Sequence, residues 1–297
     1  MLIDICFAES YNVPMKIFVS GANGALGRET TALLRKEGID FIGIDINQLD
    51  ITDFEKTHAF LLKHRPDVIL HFAAVSDVDS CEDDHDFALR VNALSCQGLA
   101  KIAKEINAKL LYTSTNFVFD GDAREPYAES GQPNPINEYG RTKLLGEKYI
   151  MDECKKFFIV RTSWLFGKNA KTYITKFLAE KTKPASIRVI YDQRASFTYI
   201  RHLSEAILQM VRSENYGIFH VVNSGVASWF DFAKRAQKSM KFKTEVVPIK
   251  LEELNLRAKR PFFSALAVDK YERIFSSRLA SWEEAQDEFI NSLSDMS

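Results

Sequence analysis

Short apolar runs alternate with amphipathic stretches along the first half of the chain. Lys16–Ser20 (KIFVS), Asp40–Ile44 (DFIGI), Val68–Phe72 (VILHF), Lys109–Ser114 (KLLYTS) and Phe158–Val160 read as short buried strands. Between them, Arg28–Lys36 closed by Gly38, a segment ending at His64, and Phe87–Ile106 carry the period of amphipathic helices. Thr52-Asp53-Phe54-Glu55 has the spacing of a capping box for the second of these, and Arg65-Pro66-Asp67 ends it. Strand and helix in alternation predict an α/β fold with a doubly wound parallel sheet. After Gly167 the pattern is less regular. Tyr173–Glu180, Ile200–Arg212 and stretches opening at Ser228 and Ser281 read as helices, the last two with N-cap spacing. Ile187–Tyr191 and Gly217–Val222 read as strands.

The first strand runs directly into Gly21-Ala22-Asn23-Gly24-Ala25-Leu26-Gly27 and then a helix. That is the order a dinucleotide site needs: Gly21 for the tight turn, Gly24 for backbone approach to a pyrophosphate, Gly27 for helix-on-strand packing. Asp45 closes the second strand, where a carboxylate accepts from ribose hydroxyls and repels a 2′-phosphate. No basic residue follows in Ile46-Asn47-Gln48, so the expected cofactor is NADH or NADPH, with NADH slightly favoured. Asp50, Ile51, Ala73, Ala74 and Val75 complete the expected cofactor contacts. The two alanines, just beyond the third strand, are small enough for a flat ligand to lie against.

A second chemical feature is Tyr139 and Lys143, one turn apart if their segment is helical. By itself the spacing is uninformative, since about one Tyr-x3-Lys is expected by chance in a chain of this composition. Its setting gives it meaning, because the fourth strand delivers Ser114-Thr115-Asn116 to the sheet edge where ligands bind. Thr115 can hydrogen-bond a carbonyl oxygen, Tyr139 can protonate the developing alkoxide, and Lys143 can hold a nicotinamide ribose. Such work by a phenol of ordinary pKa about 10 calls for a downward shift, expected from Lys143 and an oxidised nicotinamide together.

Composition narrows the class. The 297 residues carry a net charge of −1 with 46% hydrophobic positions, which gives no general attraction to nucleic acid or membrane. Cys6, Cys81, Cys96 and Cys154 lack metal-like or disulfide-framework spacing, so no metal is expected and a reducing cytoplasm is. His71 reads as a core histidine, and Asp79–Asp86 as a solvated loop and helix start. The expected organisation is an N-terminal extension over residues 1–14, which lacks a basic start and is either an extension or a start upstream of Met15. An NAD(P)-binding Rossmann domain over 15–165 follows, and then 166–297, mainly a smaller mixed α/β substrate domain with some segments returning to the sheet.

At these residues the chain resembles the extended short-chain dehydrogenase/reductases and, within them, is similar to the dTDP-4-dehydrorhamnose reductase family. The likeness rests on Gly21–Gly27, Arg65-Pro66-Asp67-Val68-Ile69, Ala73-Ala74, Val78-Asp79 with Glu82, and Ser114-Thr115 with Val118-Phe119. It continues through Tyr139-Gly140-Arg141-Thr142-Lys143 with Gly146-Glu147, Arg161-Thr162-Ser163-Trp164 and Asp192-Gln193. Gly217-Ile218-Phe219-His220, Ser228-Trp229-Phe230 and Arg260-Pro261 with Ser264 complete it. The resemblance implies reduction of the 4-keto group of a nucleotide-linked 4-keto-6-deoxy sugar, dTDP-4-dehydrorhamnose to dTDP-L-rhamnose. It also implies Thr115, Tyr139 and Lys143 as the catalytic set, with Asn116 and Trp164 facing the sugar. The partner is then a small-molecule nucleotide sugar, and a homodimer stays open.

Two departures from the family pattern fall near the expected substrate. The usual Thr-Asp-Tyr is Thr115-Asn116-Phe117, and Ala195 and Phe197 replace a glycine and a proline after Asp192-Gln193. They leave open the identity of the sugar and nucleotide. They also leave open a 4-epimerase, a reductase of another sugar nucleotide, or a non-catalytic subunit like the methionine adenosyltransferase regulatory chain.

Overall fold

In the computed structural model, which describes residues 15–170, 172–180 and 183–294, strand β1 (Lys16–Ser20) alternates between two apolar layers. Ile17 and Val19 face one layer and Phe18 the other, as the two-residue period of a strand requires. The extension expected over residues 1–14, with Cys6, lies outside the described residues. After β1 come α1 (Ala25–Lys36), β2 (Asp40–Ile44), α2 (Phe54–His64) and β3 (Val68–His71). Two short helices, α3 (Val78–Asp83) and α4 (His85–Leu89), lead through a π-helical turn at Arg90–Leu94 into α5 (Ser95–Ile106). Next are β4 (Lys109–Thr115), a 3-10 turn at Asn116–Val118, α6 (Glu138–Glu153), β5 (Phe157–Thr162) and β6 (Leu165–Phe166). The second half contributes α7 (Tyr173–Ala179), β7 (Ser186–Ile190), β8 (Thr198–Tyr199), α8 (Ile200–Val211) and β9 (Gly217–His220). It closes with α9 (Trp229–Met240), β10 (Glu245–Ile249), α10 (Asp269–Phe275) and α11 (Trp282–Ser294).

Six strands form one parallel sheet in the order β2-β1-β3-β4-β5-β9. The expected doubly wound Rossmann-type sheet is therefore present, with β9 supplied by the second half of the chain. The chain leaves β1 for β2 on one side and returns as β3 on the other. This switch point, beyond the strands' C-terminal ends, is where open α/β sheets take ligands. Leu34, Leu203, Ile207, Met210 and Tyr271 from α1, α8 and α10 cover one face. Leu61, Leu99, Ala103 and Ile150 from α2, α5 and α6 cover the other. Two smaller pairings, β7 with β10 and β6 with β8, gather with α7, α9 and α11 around Phe166, Phe197, Phe232, Trp282 and Phe289.

Several local expectations change. The N-cap of α2 is Asp53, which accepts from Lys56 N at 3.1 Å, while the Thr52 hydroxyl donates instead to Asp50 at 2.7 Å. The helix expected over Phe87–Ile106 starts two residues earlier and contains the π turn. Strand β10 was not anticipated; it contains Pro248, and a two-stranded sheet leaves it an edge, where proline is tolerated. The boxes at Ser228 and Ser281 do close reciprocally on Asp231 and Glu284.

Candidate active site

The glycine-rich turn has the form of an anion cradle. α1 begins with Gly24 as N-cap and no side-chain hydrogen bond, leaving first-turn N–H groups without helical partners. A Cβ at Gly27 would lie 2.2 Å from Gly21 O, so α1 packs directly on the turn. A Cβ at Gly24 would approach only Gly21 O, at 3.2 Å, so the backbone there is open to a ligand. Ala25 and Leu26 form the first turn of α1, with Leu26 buried in the core. At the end of β2 the Asp45 carboxylate accepts from Asn23 N at 3.1 Å and Ile46 N at 2.8 Å. These features fit the pyrophosphate and ribose of a nicotinamide dinucleotide.

Asp50 spends one oxygen on Thr52 N and Oγ1, and Ile51 packs in the core with Ile44 and Ala73. Ala73, Ala74 and Val75 follow β3 in half-buried positions. Asn92, in the π turn, fixes them: Val75 N donates to its Oδ1 at 2.9 Å, and its Nδ2 donates to Val75 O at 3.1 Å. The same Nδ2 donates to Thr142 Oγ1 on α6 at 3.2 Å. Sequence reasoning missed Asn92, since nothing in a helical pattern marks one asparagine as a tie between a loop and another helix.

The Tyr139 helix is set against β4 by two features. Asn137 caps α6 by accepting from Gly140 N at 2.8 Å. A Cβ at Gly140 would lie 2.0 Å from Phe117 O, so only glycine lets the helix sit this close to the turn after Thr115. The half-buried Tyr139 ring meets Phe117 edge-on at 6.0 Å. Lys143, only 2% exposed, holds its Nζ 4.0 Å from the centroid of the Tyr112 ring.

The electrostatics of the pair are set by burial. Burial pushes the Tyr139 phenol up to about 12, with the Thr115 hydroxyl acting in the opposite direction and Cys81 adding to the rise. The downward shift was expected from Lys143 and an oxidised nicotinamide together; in the protein alone burial sets the direction. The phenol is a fully protonated donor at neutral pH, which suits reduction. Burial brings Lys143 down to about 8, opposed by Cys96, Glu147 and Cys81. A lysine depressed on folding weakens the native state below pH 8, and that penalty lifts as pH rises from about 8 towards its unfolded value near 10.5. Lys143→Met should therefore stabilise the cofactor-free protein at pH 7 by up to about 3 kcal/mol, a gain that fades towards pH 10. A melting temperature at or below the parent's at pH 7 would contradict this.

Asn116, expected to face the sugar, is held by its own neighbours. It is 2% exposed, and its Nδ2 donates to Ser264 Oγ at 2.7 Å while its Oδ1 accepts from Thr115 Oγ1 at 3.2 Å. Trp164 is half-buried, stacked on Trp229 at 5.0 Å and edge-on to Phe197, with a left-handed φ of 38° that costs about 1–3 kcal/mol. Deeper in the fold, Glu147 of α6 takes two bonds from Arg161, at 2.9 and 2.7 Å, and one from Ser114 Oγ at 2.5 Å. Both members of this ion pair are buried.

Known proteins show the same architecture. The family model described as the RmlD substrate binding domain matches residues 15–295. A dTDP-4-dehydrorhamnose reductase of Escherichia coli is 30% identical over 300 residues, covering 94% of this chain and 98% of the relative. The chain belongs to the dTDP-4-dehydrorhamnose reductase family. A dTDP-4-keto-6-deoxy-D-glucose reductase of Streptomyces niveus is 33% identical over 269 residues, covering 90% of this chain and 93% of that protein. The crystal structure of the dTDP-4-dehydrorhamnose reductase of Bacillus anthracis, in complex with NADP, is 35% identical with a TM-score of 0.90. The match covers 94% of this chain and all of that one. Against the dTDP-4-dehydrorhamnose reductase family pattern, each departure here has a structural partner. Asn116 bonds Ser264, Ala195 N donates to Ala227 O at 3.1 Å, and Phe197 stacks on Phe232 at 4.5 Å.

Proposed function

We propose that this protein reduces the 4-keto group of a nucleotide-linked 4-keto-6-deoxy sugar, with dTDP-4-dehydrorhamnose as substrate and dTDP-L-rhamnose as product. The observation that carries this reading is the packing of the Tyr139 helix against the turn after Thr115, at the sheet edge that also presents the dinucleotide turn. A bound nicotinamide cofactor supplies the hydride. Tyr139 gives its proton to the carbonyl oxygen, Thr115 steadies the phenolate that this leaves, and Lys143 holds the ribose. The cofactor contacts are Gly21, Gly24, Ala25, Leu26, Gly27, Asp45, Asp50, Ile51, Ala73, Ala74 and Val75, with Trp164 on the substrate side. The domain over 15–165 carries the cofactor, and 166–297 mainly shapes the substrate pocket. Free buried thiols at Cys81, Cys96 and Cys154 support a cytoplasmic setting.

Reduced cofactor and a panel of dTDP-, UDP- and GDP-linked 4-keto-6-deoxy sugars test this. Oxidation of the cofactor is expected with the dTDP sugar foremost. Cofactor binding without oxidation by any member of the panel would favour a regulatory role, and interconversion without net cofactor consumption would favour an epimerase. Asp45 also supports a preference for NADH. Asp45→Ala should shift the ratio of specificities towards NADPH by about tenfold, about 1.4 kcal/mol, and an unchanged ratio would remove Asp45 from cofactor selection.

A further inference from the structure

A hydroxyl has one hydrogen to donate and two lone pairs to offer. At Thr115, Phe117 N donates to Oγ1 at 3.1 Å, and Oγ1 donates to Asn116 Oδ1 at 3.2 Å. The hydrogen is thus turned away from the site and one lone pair is filled. The acceptor is itself locked. Asn116 Nδ2 donates to Ser264 O at 3.4 Å as well as to Ser264 Oγ, and a carbonyl oxygen can only accept, so Oδ1 must be the end that meets Thr115. Ser264 is in turn held by its N donating to Arg194 O at 3.0 Å, and the segment before it by Asn137 Nδ2 donating to Lys259 O at 2.8 Å.

We propose that Asn116 is a positioning residue that stores the Thr115 hydroxyl hydrogen while Tyr139 is protonated and releases it when Tyr139 becomes a phenolate. The idea deepens the reduction reading and rests on it. As the Tyr139 O–H bond breaks, its proton forms an O–H bond on the substrate oxygen, and the electron pair of the broken bond stays on the phenol. The Thr115 hydroxyl then turns about Cβ–Oγ1, breaking its bond to Asn116 and making one to the phenolate. A neutral carboxamide suits this exchange, because a carboxylate would hold the hydrogen about twice as strongly.

Opposite substitutions test the role. Asn116→Asp should keep the hydrogen, and Asn116→Leu should free it. With dTDP-L-rhamnose and oxidised cofactor, the apparent pKa that governs oxidation should move up in Asn116→Asp and down in Asn116→Leu, each by about one unit. Both variants lose the same donor bond to the Ser264 carbonyl, so a purely structural role would move both profiles the same way or neither. The groups facing Tyr139, namely Cys81 from α3 and Tyr112 from β4, are unchanged in both, as is Lys143 one turn on along α6. So are Glu82, which accepts from Glu138 N, and the Asp79–Arg260 pair on the neighbouring segment.

The same order is expected in tyrosinate absorbance titrations of the cofactor-free proteins, each with its Tyr139→Phe counterpart subtracted. In a Thr115→Val background the downward shift of Asn116→Leu should vanish, and the upward shift of Asn116→Asp should shrink to what the added charge alone exerts on the phenolate. Superimposed titrations with turnover intact would overturn the role of Asn116. Absent turnover in the parent, with the titration order intact, would overturn the reduction reading alone.

Discussion

Tyr139→Phe is expected to lower turnover by about 10²- to 10⁴-fold, the range that one positioned acid contributes, with cofactor affinity unchanged. The substitution removes one hydroxyl and keeps the ring that meets Phe117 edge-on, so the helix and its glycine contact with the turn after Thr115 should stay in place. Because burial holds the phenol at about 12, reduction should be insensitive to Tyr139 ionisation across the neutral range. The reverse reaction, which needs the phenolate, should accelerate with rising pH. Full activity in the variant would remove Tyr139 from the mechanism.

The second large effect is on stability. Arg161→Met should destabilise the protein by about 3–5 kcal/mol, because it strands the Glu147 carboxylate without its cation in a buried site. At roughly 2–4 °C per kcal/mol for a domain approaching this size, the melting temperature should drop by roughly 6–20 °C. Arg161 also lies 5.2 Å over the Phe119 ring, a contact methionine keeps only in part. Adding Glu147→Leu should recover most of the loss, since a buried pair replaced by apolar groups is often neutral. A single variant within about 1 kcal/mol of the parent would contradict the account of this pair.

Much of this was legible in the sequence wherever the signal was local. Strands β1 to β5 announced themselves as short apolar runs, and the turn from Gly21 to Gly27 by its position between strand and helix. Tyr139 and Lys143 gained meaning only from the strand that delivers Thr115. What stayed hidden depends on contacts between distant segments. Asn92 ties Val75 to α6, and Ser264 reaches Asn116 across 148 positions. The phenol's upward shift was hidden for the same reason, since burial is a property of the packed site. The capping box read at Thr52 failed because Asp50 competes for the threonine hydroxyl.

The central claim is hydride transfer to a sugar carbonyl with Tyr139 as proton donor. Its most direct test supplies the protein with dTDP-4-dehydrorhamnose and reduced cofactor dideuterated at C4 of the nicotinamide, and locates the label by mass spectrometry and NMR. The account predicts one deuterium at C4 of the product sugar, with one cofactor oxidised per product formed. Unlabelled product, or substrate recovered unchanged beside intact reduced cofactor, would contradict it.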